Sequence, residues 1–311
     1  MRACYGYRVP VTAPKQSTSR DDPAVVRDAA IGEIDWAAPV PGSVRGVFEA
    51  PSGRLAVVSM GDPAAPRVVL IPGATGSKED FALMLPLLAE AGYRVEAYDL
   101  AGNYESHLAG PPADGRYDYS LFVDDLTAVL ASGAPAHLLG YSFAGIIAQL
   151  VVAEHPELVR SLTLLTTPPD AGNSYRHVKL IGPLSWVLTP HVGAGLMIWG
   201  IRTNKNRVGP SRLAFVQSRF ALTRRECVDD IVGLMMRAPD VAASVRAAGI
   251  PVLVATSRHD LWPVERYSLH ADRLGARLAV YETGHSPCET TPHQLVRDML
   301  ELMSGADGSS A

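Results

Sequence analysis

Short apolar runs alternate with longer segments of helical period along most of this chain, and that alternation restricts its fold more than any other feature. Arg67 to Ile71, Tyr93 to Tyr98, Ala136 to Leu139 and Ser161 to Leu165 read as strands. Between them, Lys78 to Ala91 (ending at Gly92), Leu121 to Leu130 and Phe143 to Glu154 repeat their apolar residues at helical spacing. Such an order builds an α/β fold: a mostly parallel central sheet flanked by helices on both faces, because each crossover returns the chain to the same edge. The segment after Ser142 is apolar nearly all round through Ile146, Ile147, Leu150 and Val151, as a helix against the middle of a sheet must be. Ahead of the alternation, Val44 to Glu49 and Arg54 to Met60 flank Pro51-Ser52-Gly53 and read as a hairpin.

From about Thr167 to Gly249 the alternation stops and only helical segments occur. Thr223 to Glu226 has the pattern of a capping box, followed by Val228, Ile231, Val232, Met235 and Met236 at helical spacing. Strand-like runs resume at Pro251 to Thr256 and Arg277 to Tyr281, and a helix carrying Leu295, Met299 and Leu302 closes the pattern. The expected organisation is therefore a flexible leader over 1–42, a core in two pieces (43–166 and 250–303), a helical insertion over 167–249 and a flexible tail over 304–311. The leader is polar from Thr12 to Asp22, while Ile31, Ile34 and Trp36 could dock its end on the body.

A chain of 311 residues that is 47% hydrophobic and 19% charged can bury a large core, which excludes overall disorder. Its 28 basic against 32 acidic residues give a net charge of −4, so no global field attracts nucleic acid. Cys4, Cys227 and Cys288 are too few for a disulfide framework and lack zinc-site spacing. With no secretory signal visible, a cytoplasmic protein is expected. Leu180 to Ile201 carries no Asp, Glu, Lys or Arg, yet Pro183, Pro190, His191 and four glycines argue against a membrane span. A small-molecule substrate, no metal, no cofactor and no membrane contact are expected; the oligomeric state is not legible.

Chemistry concentrates at Gly140-Tyr141-Ser142-Phe143-Ala144-Gly145, which lies between a strand and a buried helix. In that context a Ser flanked by small residues becomes a nucleophile elbow, held in a strained conformation where strand and helix nearly touch. A Ser hydroxyl needs a base within about 3 Å, itself oriented by an acceptor. Of nine histidines, His285 follows the last strand and reaches the same sheet edge as Ser142. Asp260, after the strand ending at Thr256, is the expected orienting carboxylate, with Asp170 as substitute should Asp260 merely cap the next helix. The order Ser, Asp, His is that of triads on this kind of sheet. Oxyanion donors are expected from the N–H of Phe143 and from the turn Pro72-Gly73-Ala74-Thr75-Gly76, with Ala74 preferred and Thr75 the alternative. Ser77 to Asp80 has the pattern that caps the helix behind that turn.

These residues resemble the α/β-hydrolase fold superfamily, specifically its single-chain members with a helical cap. The likeness covers roughly Ser43 to Met303 and rests on four stretches: the Gly140 to Gly145 elbow, the turn Asp99-Leu-Ala-Gly102, the acid loop Asp260-Leu-Trp-Pro263, and Gly284-His285-Ser286-Pro287 with Glu289 beyond. The resemblance implies a carboxylesterase-like serine hydrolase with the triad Ser142, Asp260 and His285, and a cap over 167–249 roofing the site. Leu180, Ile181, Trp186, Met197, Ile198 and Trp199 would then line an apolar acyl pocket or pack the cap on the core. Arg202, Lys205 and Arg207 would form a solvated basic face or meet an anionic group.

Two departures stand out: Pro72-Gly73 replaces the family's usual His-Gly, removing a polar brace from the oxyanion loop, and Ala144 replaces a usual Gly. A Ser nucleophile disfavours the dehalogenase and epoxide hydrolase branches. The expected reaction is hydrolysis of a carboxylic ester of a small, partly apolar substrate through an acyl-enzyme. Carbon–carbon bond, thioester or amide hydrolysis on the same triad, a non-catalytic binding member, and a lipase-like protein whose cap docks on membranes are the alternatives.

Overall fold

A computed structural model describes residues 21–179, 189–204 and 208–308. Cys4, Leu180, Ile181, Trp186, Lys205 and Arg207 lie outside the described residues, as do the side chains of Met197 and Arg202. Eight strands form one sheet: β1 (Val44–Ala50), β2 (Gly53–Met60), β3 (Arg67–Ile71), β4 (Arg94–Tyr98), β5 (Ala136–Tyr141), β6 (Val159–Leu165), β7 (Val252–Ser257) and β8 (Arg277–Tyr281). Their order is β1-β2-β4-β3-β5-β6-β7-β8. The β1/β2 and β2/β4 pairs are antiparallel and the other five parallel. After β3 the chain turns first to one side (β4) and then to the other (β5). The carboxyl ends of β3 and β5 therefore flank a switch point, where open sheets of this kind bind ligands.

Every residue of β3, β5 and β7 is buried, so these strands are mostly apolar on both faces instead of alternating, with Arg67, His137, Thr256 and Ser257 as the polar exceptions. Alternate side chains still serve opposite faces. Val69, Ile71 and Leu138 join one core with α3 (Tyr119–Ala131), α4 (Phe143–Glu154), α8 (Ala242–Ala247) and α9 (Val264–Leu274). Val68, Leu70 and Leu139 join the other with α2 (Met84–Glu90), α10 (Pro287–Thr290) and α11 (Pro292–Gly308). The segment between β6 and β7 contributes α5 (Pro190–Arg202), α6 (Pro210–Leu222) and α7 (Arg225–Met235). Ile198 of α5 packs beside Ala194, Val228 and Val232 in a minor core of that insertion.

Several expectations need correction. The leader is not flexible from residue 21 onward: α1 (Pro23–Ala29) starts at Asp22, whose carboxylate accepts from the Ala24 N–H at 2.8 Å. Buried Asp28 accepts from the backbone N–H groups of His293 and Gln294, so an acid of α1 satisfies the open donors at the start of α11. Further on, Trp36 is buried under the Arg212 guanidinium, 4.4 Å from its ring, and Glu33 accepts from the Ser211 N–H. The tail is not flexible through 308 either, because α11 runs to Gly308 and buries Met303 and Ala306. Lys78 to Ala91 is a 3₁₀ turn (Lys78–Phe81) followed by α2, since Pro86 lacks a donor and fits only a first helical turn. The Thr223 capping box does not form: its hydroxyl donates to Arg219 O and accepts from the Tyr104 N–H. Among the described residues no helix is long and apolar enough to cross a membrane.

The two chain crossings into and out of the insertion pair through Gly172 and Ala238, with N–H···O distances of 2.7 and 2.8 Å. Beneath them lies a small cavity lined by Gln149, Asp170, Asp240, Arg273 and His270. The His270 ring is buried, and neither nitrogen has a hydrogen-bond partner among the described residues. Burial, reinforced by the Arg273 charge, pushes its pKa down to about 4. Between that value and the ordinary 6.5 the unfolded chain binds a proton that the folded protein refuses, so stability falls as pH drops through the window. His270→Gln should flatten this slope, recovering up to about 3 kcal/mol of the stability lost between pH 7 and pH 4, as read from urea midpoints at both pH values. A variant as acid-sensitive as wild type would contradict this.

Packing between α4 and the sheet makes a second outcome testable. A Cβ on Gly145 would overlap the Thr167 side chain, and one on Gly140 would lie 2.7 Å from Ala144 O. Gly145→Val should lower stability by about 3 kcal/mol, since the new side chain would collide with the Thr167 side chain down to its Cβ, which cannot clear the space without a shift of the backbone that carries it. An unchanged denaturation midpoint would show that the helix can move away.

Candidate active site

The close approach of β5 and α4 forces a sharp turn, and Ser142 occupies it at φ 52° and ψ −119°, a conformation L-residues rarely adopt. Its N–H donates to Leu165 O at 2.8 Å, tying the turn to β6. Helix α4 begins at Phe143, so the first N–H groups of α4 open beside the Ser142 hydroxyl without helical partners.

His285 stands in the loop after β8 with Nε2 3.1 Å from Ser142 Oγ, while its Nδ1 is 2.6 Å from Asp260 Oδ1 in the loop after β7. Because the carboxylate only accepts, Nδ1 carries the proton and Nε2 is left to accept from the serine hydroxyl. Asp260 is buried and its lone pairs are well used: Oδ1 also accepts from the Leu261 N–H at 2.7 Å, and Oδ2 accepts from the Tyr267 hydroxyl. It does not cap α9, whose N-cap position is Pro263. Asp170, the substitute acid, is instead engaged by His177 and Arg266. Burial alone would raise its pKa, but those hydrogen bonds outweigh burial and hold it below the usual carboxylate range.

The turn after β3 lies against the serine: a Cβ on Gly73 would be 3.1 Å from Ser142 Cβ. Gly76 N–H donates to Gly73 O at 2.9 Å, leaving the N–H groups of Ala74 and Thr75 outside the turn's own bond. Behind it, Asp80 accepts from Ser77 N–H and from the guanidiniums of Arg212 and Arg219 on α6. Burial disfavours its ionisation, yet the two cations prevail and lower its pKa. Arg212 also donates to Glu289, four residues beyond His285.

The structure thus brings Ser142, Asp260 and His285 into one hydrogen-bonded row, with Phe143 next in the chain to the serine and Ala74 in the turn whose Gly73 lies against it. Sequence reasoning missed four supporting residues. Tyr267 sits on the buried side of α9 seven residues after Asp260, a polar tip at an apolar position that could have drawn notice. Thr166, at φ 41°, donates to His285 O at 2.9 Å, and Tyr141 shares a hydrogen bond with Ser286 at 2.8 Å. Asn103 donates from Nδ2 to Ala74 O at 3.3 Å. No local pattern announces the last three.

Comparison with known proteins agrees with the architecture. A stretch of 120 residues is 33% identical to bifunctional epoxide hydrolase 2 of Rattus norvegicus, covering 38% of this chain and 21% of that protein. Over 101 residues the chain is 35% identical to pimeloyl-(acyl-carrier protein) methyl ester esterase of Neisseria meningitidis, covering 32% of this chain and 36% of that one. The chain therefore spans only part of these relatives, 21% and 36% of their lengths. An epoxide hydrolase from Vigna radiata shares the fold with a TM-score of 0.71 at 15% identity, over 86% of this chain and 100% of that one. Residues 66–260, from the start of β3 to the acid loop, match the family described as alpha/beta hydrolase fold. With its parallel sheet, its strained serine turn and that match, this chain belongs to the α/β-hydrolase fold family.

Proposed function

We propose that this protein is a serine hydrolase that cleaves a carboxylic ester of a small, partly apolar substrate through an acyl-enzyme. The observation that carries the reading is the row Ser142 Oγ, His285 Nε2, His285 Nδ1 and Asp260 Oδ1, with gaps of 3.1 and 2.6 Å, mounted on a strained elbow. His285 takes the Ser142 proton as the oxygen attacks the carbonyl carbon, and Asp260 stabilises the imidazolium that results. The N–H groups of Phe143 and Ala74, or of Thr75, hold the oxyanion. The same imidazolium protonates the departing alcohol, after which neutral His285 deprotonates the water that hydrolyses the acyl-enzyme.

Similarity over 101 residues to a methyl ester esterase supports an ester substrate. The epoxide hydrolase likeness supports only the fold, because a serine oxygen that opened an epoxide would be left as an ether that water does not release. In this reading the core is 43–166 with 250–303, and 167–249 acts as a cap over the site. Cys227 and Cys288 are buried free thiols, which fits a reducing compartment such as the cytoplasm.

With p-nitrophenyl butyrate as substrate, Ser142→Ala should lower kcat/KM by about a thousandfold or more and abolish labelling by a fluorophosphonate. Residual activity above that level, or labelling at another residue, would refute the assignment. Labelling of Ser142 without ester turnover would redirect the search to thioester, amide or carbon–carbon substrates.

A further inference from the structure

Asn103 sits in the loop after β4, and its side chain is fully buried. The strand order β4-β3-β5 sets the turn after β3 between this loop on one side and Ser142 on the other. Asn103 Nδ2 reaches the Ala74 carbonyl at 3.3 Å; since that carbonyl only accepts, the nitrogen and not the oxygen of the amide must face it. Ala74 and Thr75 are the central residues of the turn closed from Gly76 to Gly73. The peptide joining them is the one whose rotation interconverts the two common turn types. In a trans peptide the C=O and the following N–H point opposite ways, so fixing Ala74 O fixes the Thr75 N–H as well and holds the turn that carries the Ala74 N–H. Pro72, just before the turn, has no polar side chain with which to brace it.

A purely structural role explains Asn103 poorly. Its Oδ1 is buried with no hydrogen-bond partner among the described residues, a defect that an apolar residue of similar size would avoid. The loop is otherwise self-supporting: Asn103 N–H donates to Leu100 O, Ser106 N–H to Asn103 O and Gly102 N–H to Ser106 O. The following residue, Tyr104, is held at φ 40° with its N–H on the Thr223 hydroxyl. The amide is thus presented to the turn by a rigid mount.

We propose that Asn103 is a positioning residue for the oxyanion turn, clamping the Ala74–Thr75 peptide so that the N–H groups of the turn stay aimed at the developing negative charge. This rests on the serine-hydrolase reading above. Asn103→Ala and the isosteric Asn103→Asp, which presents only acceptors to the carbonyl, test it together. Both should lower kcat for p-nitrophenyl butyrate by about ten- to a hundredfold, with KM within about threefold of wild type. The inhibition constant of butylboronic acid, whose adduct on Ser142 places an oxygen where the oxyanion forms, should rise by the same factor.

Rates are referred to active sites titrated with a fluorophosphonate, so that misfolded protein does not count. An unchanged boronate constant in titrated sites, or failure of both variants to fold, would make Asn103 structural and overturn the proposal. If wild-type Ser142 takes no fluorophosphonate, the hydrolase reading falls and this proposal with it. If wild type labels while the variants inhibit normally, only this proposal falls.

Discussion

Helix α4 presses on β5 at glycine distance, and the rest of the site depends on that contact. With Gly140 and Gly145 lacking side chains, backbone meets backbone, and the chain between them has room only for a turn at φ 52°. The strain, of order 1–3 kcal/mol for a residue in such a conformation, is sustained by burial on both sides of the turn and by the bond from Ser142 N–H to Leu165 O. The serine oxygen is consequently displayed by the sheet's own packing and not by a mobile loop. Its neighbours follow the same logic: the turn after β3 and the loops after β7 and β8 leave the sheet at the same edge, because their strands run parallel.

A buried ionic cluster fixes the insertion above this edge. Asp80, Arg212 and Arg219 are buried and Glu289 is largely so, where charges are costly unless paired and hydrogen-bonded. Two guanidiniums against two carboxylates nearly satisfy that condition, although one nitrogen on each arginine has no partner among the described residues. The cluster ties α6 both to the segment behind the turn and to α10, the short helix that follows His285. The loop that carries His285 and the turn after β3 therefore share one electrostatic anchor, and α6 of the insertion is bolted to both.

Much of this was legible in the sequence because the decisive signals are local. Arg277 to Tyr281 and Phe143 to Glu154 have the same bounds as β8 and α4, where the apolar pattern changes abruptly at Gly, Ser and His. The nearness of Ser142, Asp260 and His285 follows from a topological rule: each lies just past a strand in a parallel sheet, hence at one edge. What escaped depends on pairs remote in the chain. Arg212 meets Asp80 across 132 residues, Asn103 meets Ala74 across 29, and Asp28 meets His293 across 265. The early polar stretch looked like a leader because Asp28 acquires a partner only when the last helix is in place.

That last pairing bears on how the protein is made. Helix α1 and helix α11 complete each other, yet Asp28 and His293 stand 265 residues apart, and contacts so distant in the chain form late. Until α11 emerges, its share of one sheet face, over β6 and β7, lies open and Asp28 lacks the N–H groups of His293 and Gln294. A nascent chain halted before Pro292 would thus leave the face of β6 and β7 that carries Leu165, Leu253 and Ala255 without the helix that covers it, a surface prone to non-native contacts until α11 docks.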